Sequence, residues 1–134
     1  MHCSYPFAGI RNMSIQYKQA RKALEKGVKD YYNCALEDMT ALYRDPLLRR
    51  LAIHPALDRL REYDSLKSTD FLHILRVYLQ CERDRVLTAK RLCAQKYSVY
   101  RLKRIVEIFD LNLDNAYERE YLTVSFLVME NSGN

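Results

Sequence analysis

Between Arg83 and Arg104 the chain sets Arg83, Arg85, Lys90, Arg91, Lys96, Arg101, Lys103 and Arg104 against a single acid, Asp84. That is +7 over 22 residues, between a front part (1–82) of +3 and a back part (105–134) of −5. Such a block suits a polyanion. Lys and Arg neutralise phosphates, Arg also pairs bidentately with guanine, and Gln with adenine. Gln95, Lys96, Ser98, Tyr100, Arg101, Lys103 and Arg104 gather those residue types within ten positions, with Tyr97 among them and Arg85 just upstream. A basic stripe of this kind is a polyanion footprint if it lies on one face; otherwise it is a solvated helical face.

Other chemistry has little to stand on. Cys3, Cys34, Cys81 and Cys93 are too far apart for zinc or dithiol spacing, and Cys81 and Cys93 read as small buried hydrophobes. His2, His54 and His73 form no HxxxH or HxxE set, and His73 is expected on the surface. Glu62 and Asp64 are paired carboxylates without a glycine loop or nucleophile motif beside them. The expectation is a protein that is not an enzyme, with no catalytic residues, no metal and no cofactor. No window approaches 18 uncharged apolar residues, and MHCSYPFAGIRN lacks the cationic start and apolar run of a secretory signal, so a cytoplasmic protein without a membrane partner is expected.

The basic block must be held by helices. With 134 residues, 49% hydrophobic and 29% charged, and only three Gly and three Pro, the chain can fill a core but cannot supply the turns of a β-sandwich. Residues 14–26 read as a helix from a Ser14 cap to a Gly27 stop, with Ile15, Ala20, Ala23 and Leu24 near one face and Tyr17 alongside. Residues 28–36 read as a short strand or a loop. Tyr17, Tyr31 and Tyr32 read as rim residues of the core. Asp45-Pro46 and His54-Pro55 each break the chain and open a helix with Pro at its first position. Ser68 or Thr69 caps DFLHILRVYLQCE, whose wide apolar stripe makes it central.

Next comes DRVLTAKRLC, with Val86, Leu87, Ala89 and Leu92 facing inward. After a break at 94–97, Ser98 caps VYRLKRIVEIFD. LNLDN turns the chain, and Asp114 or Asn115 caps a last helix. Leu75, Tyr78, Leu79, Leu92, Leu102, Ile105 and Leu122 are expected to share one core. Two helices flanking a glycine-free turn at 84–109, the second basic on its outer side, have the layout of a helix-turn-helix.

In HPALDRLREYD, STDFLHILRVYLQ, TAKRL, YRLKRI and LNLDNAYERE the sequence resembles the C-terminal part of PucR/CdaR-type bacterial transcriptional regulators, over residues 54–130. Residues 8–43 are similar to the tail of the GGDEF-like domain preceding that part. The turn AQKYSVYRL is about one residue shorter than the family's, and one residue turns a helix start by about 100°.

The resemblance implies an all-α fold, a helical bundle containing a helix-turn-helix, with residues 1–43 a remnant of an upstream domain and 44–134 the DNA-binding domain. It implies double-stranded DNA as partner, a recognition helix near 98–109, a homodimer, and an effector sensed by upstream domains. Arg85, Gln95, Lys96, Tyr97, Ser98, Tyr100, Arg101, Lys103 and Arg104 are the expected contact residues. The alternative from another class is a helical dimerisation or protein-interaction module whose basic face is merely solvated.

Overall fold

Two helices after residue 44 begin where a side chain accepts from the free amides of a first turn. Asp45 Oδ1 accepts from Leu47 N at 2.8 Å and opens α3 (Pro46–Ala52). His54 Nδ1 accepts from Ala56 N at 3.1 Å and opens α4 (Pro55–Lys67). In both the proline occupies the first helical position, where its missing N–H costs nothing.

The computed structural model describes residues 3–4, 9–93 and 98–130, with the backbone alone for Leu42, Tyr43, Ser98 and Val99. Among the described residues there are eight α-helices and no strand, so the fold is all-α. The chain divides into two units, Met1–Arg44 and Asp45–Asn134.

The first unit is built on α1 (Met13–Lys26) and α2 (Ala35–Thr40), with short 3-10 turns at Ile10–Asn12, Tyr31–Asn33 and Ala41–Arg44. α1 begins one residue before the expected Ser14 cap, running on from the first 3-10 turn. It ends as expected at Gly27, whose φ of 68° lets its N–H reach back to Leu24 O. Residues 28–36 form no strand. Their one extended contact is an isolated parallel bridge from Asp30 to Cys3, after which the chain coils into the second 3-10 turn.

Ala23, Cys34 and Thr40 are buried in this unit, whereas Ile15, Tyr17, Leu24 and Tyr32 are exposed. The expected apolar face of α1 is therefore buried only at its small residues. Tyr31 alone of the three tyrosines is half-buried, and its Oη donates to Asp38 at 2.6 Å. Lys22 pairs with the same carboxylate at 3.0 Å.

The second unit adds α5 (Phe71–Gln80), α6 (Arg85–Arg91), α7 (Ser98–Phe109) and α8 (Ala116–Glu130). α5 packs against α4, α6, α7 and α8, the central place its apolar stripe predicts. The core gathers Leu57 and Leu60 of α4, Ile74 and Leu75 of α5, Leu102 and Ile105 of α7, and Leu122 and Phe126 of α8. Of the expected core set, Leu75, Leu102, Ile105 and Leu122 are buried, and Tyr78, Leu79 and Leu92 pack partly buried against them.

Two expectations of burial in this unit fail. Val86 and Leu87 do not face inward: they are 68% and 42% exposed, and the inner positions of α6 are Thr88 and Ala89. Thr88 tolerates full burial because its hydroxyl donates to Asp84 O at 2.6 Å. Cys81 is buried, but Cys93 is exposed and lies beyond the end of α6 with φ 51°. No helix among the described residues is long and apolar enough to cross a membrane.

Candidate nucleic-acid interface

α6 and α7 pack against each other, and both pack on α5. Asp84 starts α6 by accepting from Leu87 N at 2.9 Å. The helix stops after Arg91, where Leu92 N and Cys93 N close back on Thr88 O and Lys90 O. α7 is fixed by Leu102, Ile105 and Phe109, which enter the core at i, i+3 and i+7. That register decides which basic side chains of α7 can face outward.

Lys103 and Arg104 are exposed, as is Tyr100 at 63%. Arg85, the first residue of α6, is exposed too. Arg85 and Lys103 come together on one surface groove of about 650 Å³, floored by Leu102, Val106, Leu111 and Leu113. Arg101 is only half-exposed. Its Nη1 donates to Asp70 Oδ1 at 3.1 Å, tying α7 to the start of α5. The hydroxyls of Tyr63 and Tyr100 beside Arg104 push its pKa above the ordinary arginine value. Tyr63 is itself stacked on Phe71 and edge-on to Phe109.

Gln95, Lys96 and Tyr97 lie outside the described residues, as does the side chain of Ser98. The backbone of Ser98 is already the first residue of α7, not a cap before it. The structure thus brings Tyr100, Lys103, Arg104 and Arg85 to the surface of the α6–α7 pair and places Arg101 at its edge in an ion pair.

Arg83 of the basic block does different work, together with Arg119 from outside it. Arg83, in the turn before α6, donates to Leu113 O at 3.4 Å and Asp114 Oδ1 at 3.2 Å, and Arg119 of α8 donates to Leu113 O and Asp114 O at 2.9 Å each. These two guanidiniums clamp the turn that joins α7 to α8. Asn115 caps α8, accepting from Glu118 N at 3.1 Å.

The acids that shape the site escape a local reading. Asp64 accepts from Phe71 N and Leu72 N at 2.9 Å each, so it caps α5 across the 68–70 turn, where Ser68 and Thr69 are the sequence's candidates. Ser68 instead takes the left-handed conformation that ends α4. Asp70, the partner of Arg101, and Tyr63, which lies beside Arg104, are 31 and 41 residues away in sequence. A near-neighbour pattern carries no signal for them, although an acid at the N-cap position of α5 marks Asp70 as a residue to watch. Among the described residues no group of His, Cys, Asp and Glu is arranged to hold a metal ion.

No curated protein and no solved structure matches the chain. Residues 71–128, from the start of α5 to near the end of α8, match the family model of the PucR C-terminal helix-turn-helix domain.

Proposed function

We propose that the chain binds duplex DNA through α6 and α7 as part of a transcriptional regulator, with α7 as the recognition helix and sequence preference arising from its first half. The observation that carries this reading is the surface of the α6–α7 pair, where Arg85, Lys103 and Arg104 stand exposed in a segment of +7 net charge that lies inside the helix-turn-helix match. Lys103 and Arg85 suit phosphates. Arg101, nearer the helix start, suits a base edge. Gln95, Lys96, Tyr97, Ser98 and Tyr100 complete the contact set. In this reading the protein is a cytoplasmic homodimer rather than an enzyme, residues 1–43 derive from a GGDEF-like upstream domain, and effector sensing belongs to upstream domains.

Fluorescence anisotropy on labelled duplexes at graded salt tests it. With four to six basic side chains on phosphates, log K falls against log[salt] with a slope of about −4 to −5, and random duplex binds at about 10⁻⁴ to 10⁻⁶ M near physiological salt. Lys103→Glu weakens all duplexes alike and flattens the slope, while Arg101→Ala costs more on a preferred duplex than on a random one. Absence of binding at 50 mM salt, including by a dimerised fusion, replaces this reading with that of a helical interaction module.

A further inference from the structure

Asp70 occupies the N-cap position of α5, yet its side chain does not cap the helix. Asp64 has taken that duty, accepting from both Phe71 N and Leu72 N. The Asp70 carboxylate is left for Arg101, with Oδ1 3.1 Å from Nη1. Both side chains remain accessible, 57% for Asp70 and 41% for Arg101, so the pair adds little to stability. It also places a negative charge at the edge of a surface otherwise suited to phosphates, which by itself weakens binding to any nucleic acid. An acid that neither caps its helix nor stabilises the fold, and that opposes the surrounding field, calls for another role.

The geometry supplies one. A free arginine side chain is rotamer-rich and loses that freedom on docking to a base edge. The Asp70 bond engages one of the guanidinium's five N–H groups and narrows the range of side-chain rotamers, leaving the remaining donors to approach guanine O6 and N7 together. We propose that Asp70 is a positioning residue for Arg101, lowering affinity for DNA in general and raising discrimination between sequences. This rests on the DNA-binding reading and names the residue pair that gives it specificity.

The predicted signature is a loss on one duplex without a loss on the other, which loss of structure does not produce. Duplexes are first enriched from a random library on the wild-type chain, and affinities for the best enriched duplex and for a random one are then measured at fixed salt. Asp70→Asn, which keeps shape and removes charge, is expected to weaken the enriched duplex and to leave the random duplex unchanged or bound more tightly. The specificity ratio then falls about threefold to tenfold, the equivalent of one newly mobile long side chain.

Arg101→Ala lowers the ratio at least as far, and adding Asp70→Asn to it changes the ratio no further. The thermal melt of Asp70→Asn stays close to wild type, since Asp64 still caps α5. An unchanged ratio, an equal loss or an equal gain on both duplexes, or a further fall in the Arg101→Ala background overturns the positioning role while leaving DNA binding intact. Failure of the wild-type chain to enrich any duplex removes the DNA-binding reading, and this inference with it.

Discussion

The two units of the chain solve the problem of burying helices differently. In Asp45–Asn134 the large residues Leu57, Leu60, Ile74, Leu75, Ile105 and Leu122 are fully buried, and four helices share one cluster. In Met1–Arg44 the fully buried residue of α1 is an alanine, Ala23, while Ile15 and Leu24 are more than half exposed. What ties α1 to α2 is polar: Lys22 to Asp38 and Lys26 to Glu37, with Tyr31 also bonded to Asp38. Exposed ion pairs contribute about 0–1 kcal/mol each, whereas a fully buried Leu or Ile contributes about 1.5–3 kcal/mol. The second unit therefore carries most of the stability.

The widest gap between the units should appear on truncating one large apolar residue in each. Ile105→Ala is expected to destabilise the second unit by about 2–5 kcal/mol, because Ile105 is fully enclosed between α7 and the rest of the core. Leu24→Ala, at 59% exposure, should change stability by less than about 0.5 kcal/mol. Urea unfolding followed by circular dichroism measures both. Equal effects would mean that Leu24 is covered in solution and that the contrast between the units is false.

Much of this contrast is legible in the sequence, for reasons that can be traced to particular residues. Pro46, Pro55 and Gly27 act through their own backbone chemistry, so the breaks they predict are found. The stripe of α5 is long enough for its period to fix a face. α6, at seven residues, is not, and there Val86 and Leu87 point outward while Thr88, with its hydroxyl bonded to the preceding turn, goes inside.

Within the candidate site, the exposure of Lys103 and Arg104 follows from the Leu102–Ile105–Phe109 register. The engagement of Arg101 by Asp70 does not, because Asp70 arrives through the tertiary packing of α5 on α7. The helix ends of the second unit are also hard to read. Between Asp45 and Glu130 there is no glycine, and the left-handed positions fall on Ser68, Glu82, Arg83, Cys93 and Asp110.

Acid separates the units by a smaller but cleaner effect. At the start of α4, burial pushes the His54 imidazole below its ordinary pKa of 6.5; Glu118, 3.7 Å away, acts in the opposite sense, and Arg59 reinforces the shift. Neutral Nδ1 is also the acceptor for Ala56 N, which protonation would remove. A depressed histidine contributes stability that is complete above pH 6.5 and is lost as pH falls from there to the folded-state value.

In the first unit, burial of Asp38 opposes its charge. Tyr31 and Lys22 outweigh that and hold the carboxyl below 3.8, so the contribution of Asp38 persists until pH drops below about 3.8. Melting temperature against pH should therefore show a decline beginning near pH 6.5 that His54→Asn abolishes and Asp38→Asn does not. Asn keeps an acceptor at the cap without a titrating ring. A decline of equal size in His54→Asn would assign it to other groups.

The smallest predicted effect concerns how the units end their helices. Gly27 closes α1 at φ 68°, and no atom lies within 4 Å of where a Cβ would stand, so Gly27→Ala meets a conformational cost alone, about 1–2 kcal/mol for a left-handed L-residue. Cys93 bears that cost already, at φ 51° in the turn between α6 and α7, and its side chain is exposed. Cys93→Gly removes the strain but gives the unfolded chain more freedom, an opposing effect of about 0.4–1 kcal/mol. The same effect, with opposite sign, offsets part of the cost of Gly27→Ala, so the net expectation is a gain of about 0.5–1 kcal/mol for Cys93→Gly against a loss of about the same size for Gly27→Ala, both read from urea midpoints. The two substitutions are mirror images at one backbone conformation, so their signs must differ if helix termination is set by backbone preference. A loss in Cys93→Gly would mean that the thiol makes a contact worth more than the strain it imposes, and the turn before α7 would then be held by its side chains instead of its backbone.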